Sequence, residues 1–171
     1  GGQQHLLQSA RLACNSGQPE KIFLACLLHD VAVSSFIRFD HGYWGAALIE
    51  AYVDEKVSWA IRMHQCCRFL ADPDVGYEYP ESYPLVFGED YQPETYIVAE
   101  YERAQNHKWY MSARQIWVNA LYAFDSDVVV EWDEFEDVLG RGFKQPPEGL
   151  GNVNIPASHM WRTLRRPSNA L

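Results

Sequence analysis

Positive charge is scarce in this chain: 14 lysines and arginines stand against 23 aspartates and glutamates in 171 residues, a formal net charge of −9. A protein that neutralises phosphates along a duplex carries the opposite balance, so nucleic acid is not an expected partner. The late basic residues Arg141, Lys144, Arg162, Arg165 and Arg166 read as a solvated face or as salt-bridge partners. No apolar run approaches the ~20 residues that span a bilayer, so no membrane partner is expected either. Cysteine is sparse as well. Cys14, Cys26, Cys66 and Cys67 show no CxxC spacing, and an adjacent pair does not suit a disulfide framework, which points to a reducing cytoplasm. Cys14 and Cys26 lie in apolar helical contexts and read as small buried hydrophobes. What remains is 47% hydrophobic and 14% aromatic, the composition of a single globular domain over 1–171.

Apolar periodicity predicts an all-α fold. Leu6, Leu7, Ala10, Leu12 and Ala13 share a face of a helix from His5 to Asn15, which Asn15-Ser16-Gly17 ends. A nearly wholly apolar helix follows from Glu20 to Ala32 and closes around Leu-Leu-His-Asp. Asp40 is the expected N-cap of a helix over His41 to Tyr52, and Asp54 that of one from Glu55 to Leu70. Between Ala71 and Pro93, four prolines, two glycines and four tyrosines predict a long loop. Helix resumes from Glu94 to Phe124 with a break near Asn106, then from Trp132 to Leu139, and a last helix is expected near His159. The divisions are therefore 3–70, a loop at 71–93, later helices at 94–141 and a tail at 142–171. Trp44, Trp59, Trp109 and Trp117 read as core, and His107 and His159 as caps or surface residues. Tyr77, Tyr79 and Tyr83 read as a lid or as a structural cover.

The distribution of histidine is the chemical signal. Of six, His5, His29, His41 and His64 fall in the first 64 residues at helix starts or ends. His29-Asp30 puts an imidazole beside a carboxylate at the end of a buried helix, which costs several kcal/mol unless a partner compensates. A divalent metal is such a partner. Imidazole and carboxylate suit iron, manganese or zinc, and one carboxylate can bridge two ions through its two oxygens. A cluster of four helices can aim all four histidines inward, as bundle metal sites do.

The stretches HLLQSARLA, LACLLHDVA, DHGYWGAALIEAYVDEKVSWAIRMH and QCCRFL resemble the HD-domain superfamily over about residues 3–70. The order is a histidine, then His-Asp, then two further histidines. The two further histidines are those of its binuclear members. AIRMHQCCRFLADPD is most similar to the small HD-type di-iron oxygenases of organophosphonate breakdown. The resemblance implies an HD-type helical bundle in which His5 and His29 bind one metal, Asp30 bridges as the catalytic carboxylate, and His41 and His64 bind the second. It implies two metal ions, Fe(II)/Fe(III), and O2 with a small anionic hydroxylated substrate as partners. Arg68, one turn after His64, takes the place of a substrate-binding basic residue, and Arg114 is a second candidate for that task. The same ligands serve metal-dependent phosphohydrolases with manganese, magnesium or cobalt, and an altered HD domain serves as a binding module. Aromatic residues leave room for a homodimer.

The chain departs from the pattern in three places. The closing aspartate of the family sits inside a late helix, but Lys108 to Phe124 holds no Asp or Glu. Asn119 and Ala120 occupy that place, and Asp125 just beyond is the candidate ligand. Val33 stands where phosphonate-cleaving relatives have another histidine. GYEYP and FGEDY replace their serine-rich loop.

Overall fold

A computed structural model describes residues 2–144, and these are helical, with no β-strand among the described residues. The helices are α1 (Gly2–Asn15), α2 (Glu20–Leu28), α3 (Val31–Ser34), α4 (His41–Ile49), α5 (Glu55–His64), α6 (Tyr83–Phe87), α7 (Thr95–Gln105), α8 (Tyr110–Leu121) and α9 (Glu136–Gly142). No helix among them is long and apolar enough to cross a membrane. The helix expected near His159, with Arg162, Arg165 and Arg166, lies outside the described residues.

Amphipathic periodicity sets the packing. Leu7, Ala10 and Ala13 of α1 meet Ile22 and Leu27 of α2, Val57 and Ile61 of α5 and Ile116 of α8 in one core. Each large aliphatic side chain buried there is worth about 1.5–3 kcal/mol. A second cluster joins Cys66 and Cys67 to Ile97, Tyr101, Ala104, Tyr110 and Ala113. α8 runs against α1, α2 and α5 and so ties the two clusters together.

Several local expectations need correction. The apolar helix stops at Leu28 rather than Ala32, and α3 restarts at Val31. Successive residues on a continuous helix project about 100° apart; the break lets His29 and Asp30 turn to one side. The fourth expected helix likewise ends at His64 and passes into a 3-10 turn at Cys66–Arg68. Asp54 caps α5 by accepting from the Lys56 backbone N–H at 3.0 Å. Asp40 does not cap α4: its backbone is left-handed (φ 50°), and its carboxylate accepts from the Tyr96 hydroxyl at 3.1 Å instead. Segment 71–93 is not one open loop, because it holds a 3-10 turn at Pro73–Val75, a backbone bridge between Asp72 and Tyr77, and α6. Cys14 is exposed, at the end of α1 away from the Leu7/Ala10/Ala13 stripe, and Trp44 is 47% exposed on α4.

α4 can lie close to α5 because Gly42 has no side chain. A Cβ there would stand 3.0 Å from the carbonyl oxygens of both Ile61 and Arg62, and backbone cannot yield as a side-chain tip can. The Gly42 N–H also donates to Oε1 of Gln65 at 3.1 Å. This close approach sets how near His41 comes to His64. Gly42→Ala is expected to lower stability by about 1–3 kcal/mol, read as a reduced urea midpoint with an unchanged slope.

Candidate metal centre

Four imidazoles from four places in the chain converge on one carboxylate. His5 comes from α1, His29 from the end of α2, His41 opens α4 and His64 closes α5. Oδ1 of Asp30 lies 3.6 Å from Nε2 of His29, 3.3 Å from that of His41 and 4.0 Å from that of His64. Oδ2 lies 3.8 Å from Nε2 of His5. The donors form two groups that share Asp30, namely His5/His29/Asp30 and Asp30/His41/His64, each with its ligand atoms within 4.8 Å of one another.

The far side of each ring fixes its tautomer. Nδ1 donates to a backbone carbonyl in all four cases: His5 to Ala123 (3.1 Å), His29 to Cys26 (2.7 Å), His41 to Arg38 (3.2 Å) and His64 to Ile61 (2.6 Å). For His29 and His64 that carbonyl belongs to the last helical turn, where it has lost its own intrahelical donor. A carbonyl only accepts, so Nδ1 carries the hydrogen and Nε2 turns its lone pair inward. Backbone orientation of this kind is the usual support of a metal-bound histidine.

The inward lone pairs face each other. Nε2 of His5 and His29 are 3.2 Å apart, as are those of His41 and His64. Two such acceptors at this distance repel unless a cation stands between them. Burial makes a proton a poor choice, since it lowers the His29 pKa to about 4 despite the pull of Asp30. Burial also holds His64 well below its ordinary value, reinforced by the charges of His29 and His41. Burial opposes ionisation of Asp30 too, but the surrounding imidazoles, His29 first, keep its carboxyl below the usual range. A divalent ion fits this donor set: two nitrogens at about 2.0–2.1 Å from one ion, about 100° apart, are separated by about 3.2 Å. With four imidazoles to one carboxylate, the set suits a transition metal better than magnesium, which prefers oxygen.

The centre is open on one side. His29 and His64 are sealed, whereas a quarter of the Asp30 side chain remains accessible. The Phe124 ring stacks on His5 at 4.3 Å while staying mostly exposed. A cavity of about 360 Å³ lies beside His5, lined by Gln8, Phe124 and Asp125 among others.

Asp125 does not join the cluster. Its backbone N–H donates to Oε1 of Gln8 at 3.0 Å, and its carboxylate accepts from the Asp127 N–H at 2.9 Å. Gln8 thus holds this segment by its backbone and leaves the side chain exposed. Asn119 donates to Oε1 of Gln18 (2.9 Å) and to the Gln115 carbonyl (2.8 Å). Among the described residues, the closing aspartate of the HD pattern therefore has no counterpart in the cluster.

The two arginines differ. Arg114 is fully buried and has no N–H to spare for an anion. It donates to the carbonyls of Cys67 (2.6 Å) and Leu70 (3.3 Å) and to the hydroxyls of Tyr101 (3.1 Å) and Tyr110 (2.8 Å). The Tyr110 hydroxyl in turn donates to Asp72, so the charge is balanced through a phenol. Arg114 thereby fixes segment 67–77 to α8 instead of clamping substrate. Arg68 lies among the rings of Phe69, Tyr83, Phe87 and Trp117. His107 stacks on Trp59 at 4.0 Å and is not one of the clustered donors.

Sequence reasoning missed the four carbonyls, Gln8 and Phe124. Only the i−3 spacing of His29 to Cys26, of His41 to Arg38 and of His64 to Ile61 was available as a signal. No family model matches the chain, and no curated protein matches it.

His29 ties stability to pH. Its folded pKa lies below the ordinary value near 6.5, so the unfolded chain binds the proton more readily and acid favours unfolding. Stability is expected to be level above about pH 7 and to fall between about pH 6.5 and 4. From His29 alone the loss is roughly 3 kcal/mol, and urea unfolding across that range measures it.

Proposed function

We propose that this chain is an HD-type binuclear metalloenzyme, a di-iron oxygenase that oxidatively cleaves a small, anionic, hydroxylated substrate. The observation that carries the reading is the pairing of inward Nε2 lone pairs on both sides of Asp30, each held by a carbonyl behind it. His5 and His29 would hold one ion, His41 and His64 the other, with Asp30 shared between them.

Each ion would take two imidazoles and a share of one carboxylate from the chain, fewer ligands than iron ordinarily holds. The positions left over would be open to a small hydroxylated substrate and to O2. When bound, the iron pair supplies O2 activation and one-electron redox chemistry. The protein supplies the rest. The carbonyl-bound Nδ1 atoms prevent the rings from turning, so the donor geometry is set before substrate arrives. The two sealed histidines exclude water from the inner side, and the open edge at Asp30 and His41 admits substrate. Arg68, one turn beyond His64, neutralises the substrate's charge. Free cysteines at all four positions accord with a reducing cytoplasm.

Elemental analysis with electron paramagnetic resonance tests this reading. Protein purified without added metal is expected to hold about two irons per chain with a coupled mixed-valence signal. Manganese, magnesium or cobalt with phosphate-ester turnover would make it a phosphohydrolase, and protein without metal would make it a binding module. Asp30→Ala is expected to lose both ions, because one carboxylate serves each, while His107→Ala keeps them. Full metal retention in Asp30→Ala would overturn the assignment.

A further inference from the structure

Three of the four clustered imidazoles are held from behind by a carbonyl three residues earlier in the chain. His29 takes that of Cys26 at 2.7 Å, His41 that of Arg38 at 3.2 Å and His64 that of Ile61 at 2.6 Å. Each such support forms with the turn that carries the histidine. His5 is different. Its Nδ1 donates to the carbonyl of Ala123 at 3.1 Å, 118 positions away and just past the end of α8.

What fixes Ala123 therefore fixes His5. Segment 124–130 is irregular and makes no backbone-to-backbone hydrogen bond among the described residues. Side chains of α1 take up its polar groups instead, as buried backbone requires. The Gln8 amide donates to the carbonyls of Asp125 and Val128, both at 2.7 Å, and its Oε1 accepts from the Asp125 N–H at 3.0 Å. Gln4 pairs with Val130 in both directions, at 2.9 and 3.0 Å. Residues four apart share a helix face, so one stripe of α1 grips the segment at two places, with His5 beside it. Gln8 is buried and gives both its N–H groups and its oxygen to this task.

The two donor groups that share Asp30 are thus built differently. His41 and His64 rest on local supports alone, whereas the His5/His29 pair has one local support and one that exists only while segment 123–130 stays in place. The segment's own carboxylate does not compensate, since Asp125 is turned to the Asp127 N–H at 2.9 Å and adds no donor to the cluster. The outer support of a metal-bound histidine typically changes metal affinity 10–100-fold.

We infer that the two metal positions are unequal, with Gln8, aided by Gln4, acting through segment 123–130 as the positioning residue for the ion on His5, His29 and Asp30, which is the ion released first. The inference rests on the preceding reading that both positions hold metal, and it adds a point of control: the packing of one irregular segment on α1 decides whether the centre holds one ion or two.

Stepwise dialysis of the purified protein against rising nitrilotriacetate, with elemental analysis at each step, measures this. The wild-type chain is expected to release its metal in two steps with a plateau near one ion per chain, and His5→Ala to hold only the plateau ion. Gln8→Leu is expected to move the first step to a chelator concentration about 10–100-fold lower and the second by less than about twofold. Phe124, mostly exposed and stacked on the His5 ring at 4.3 Å, supplies a variant that leaves the fold alone: Phe124→Ala is expected to move the first step about two- to tenfold in the same direction. A purely structural Gln8 would lower the urea midpoint and shift both steps together. Release of both ions in one step, an equal shift of both steps in Gln8→Leu, or no shift of the first would each overturn the inference while leaving the metalloenzyme reading intact. Purified wild-type protein without metal would remove that reading and this inference with it.

Discussion

The carboxylate of Asp30, ringed by four imidazoles whose Nε2 atoms lie 3.3–4.0 Å from its oxygens, is the constraint around which the N-terminal half is arranged. Bringing five polar side chains to one buried place costs far more than any one helix contact returns. The chain offsets part of that cost locally, because every Nδ1 satisfies a carbonyl, and three of those carbonyls lie three residues before their histidine. The rest of the cost is a repulsion between Nε2 pairs that the protein's own groups do not relieve. Helix ends are where such an arrangement can be built, since only there do carbonyls lack intrahelical donors. That is why the histidines sit at the ends of α2 and α5 and not within them.

A second buried charge is handled in the opposite way. Arg114 is neutralised through Tyr110 to Asp72 and enclosed by hydroxyls and carbonyls. This network joins α8, the turn after α5 and the start of segment 71–93, and so fixes the floor on which α6 sits. A satisfied network of this type favours one arrangement over its alternatives. The centre at Asp30 and the network at Arg114 both contact α8 or its C-terminal extension: Ala123 accepts from His5, while Tyr110 and Arg114 hold the opposite end. A shift of α8 would therefore disturb both.

The parts of the fold and site legible in the sequence are those governed by short-range rules. The apolar stripe of α1, the Asp54 cap and the clustering of His5, His29, Asp30, His41 and His64 follow from periodicity and from helix termini. Contacts between distant residues were not legible. Asp125 follows α8 closely enough to look like a ligand, yet Gln8, 117 positions earlier, holds its backbone and turns the carboxylate away. Arg114 looks like a free cation until the carbonyls of Cys67 and Leu70, 47 and 44 positions away, are brought to it. Asp40 has the residue type of a cap but a left-handed backbone. Pro/Tyr-rich composition signals irregular chain, but it does not reveal that Tyr83 and Phe87 fold back over Arg68.

The contrast between Arg68 and Arg114 also bears on what is built around the histidine cluster. The four imidazoles and Asp30 come from the first 64 residues, whereas the rings around Arg68 and the acceptors around Arg114 come from positions 67 to 117. Arg68 follows His64 by four residues, and the rings around it come from Phe69, α6 and α8, none of which contributes a clustered donor. The chain thus separates the two sets physically: the first four long helices and the Asp30 junction gather the donors, and the elements from Cys66 onward enclose the two arginines. Substitutions at Tyr83, Phe87 or Trp117 therefore change the surroundings of Arg68 without removing any of the clustered donors.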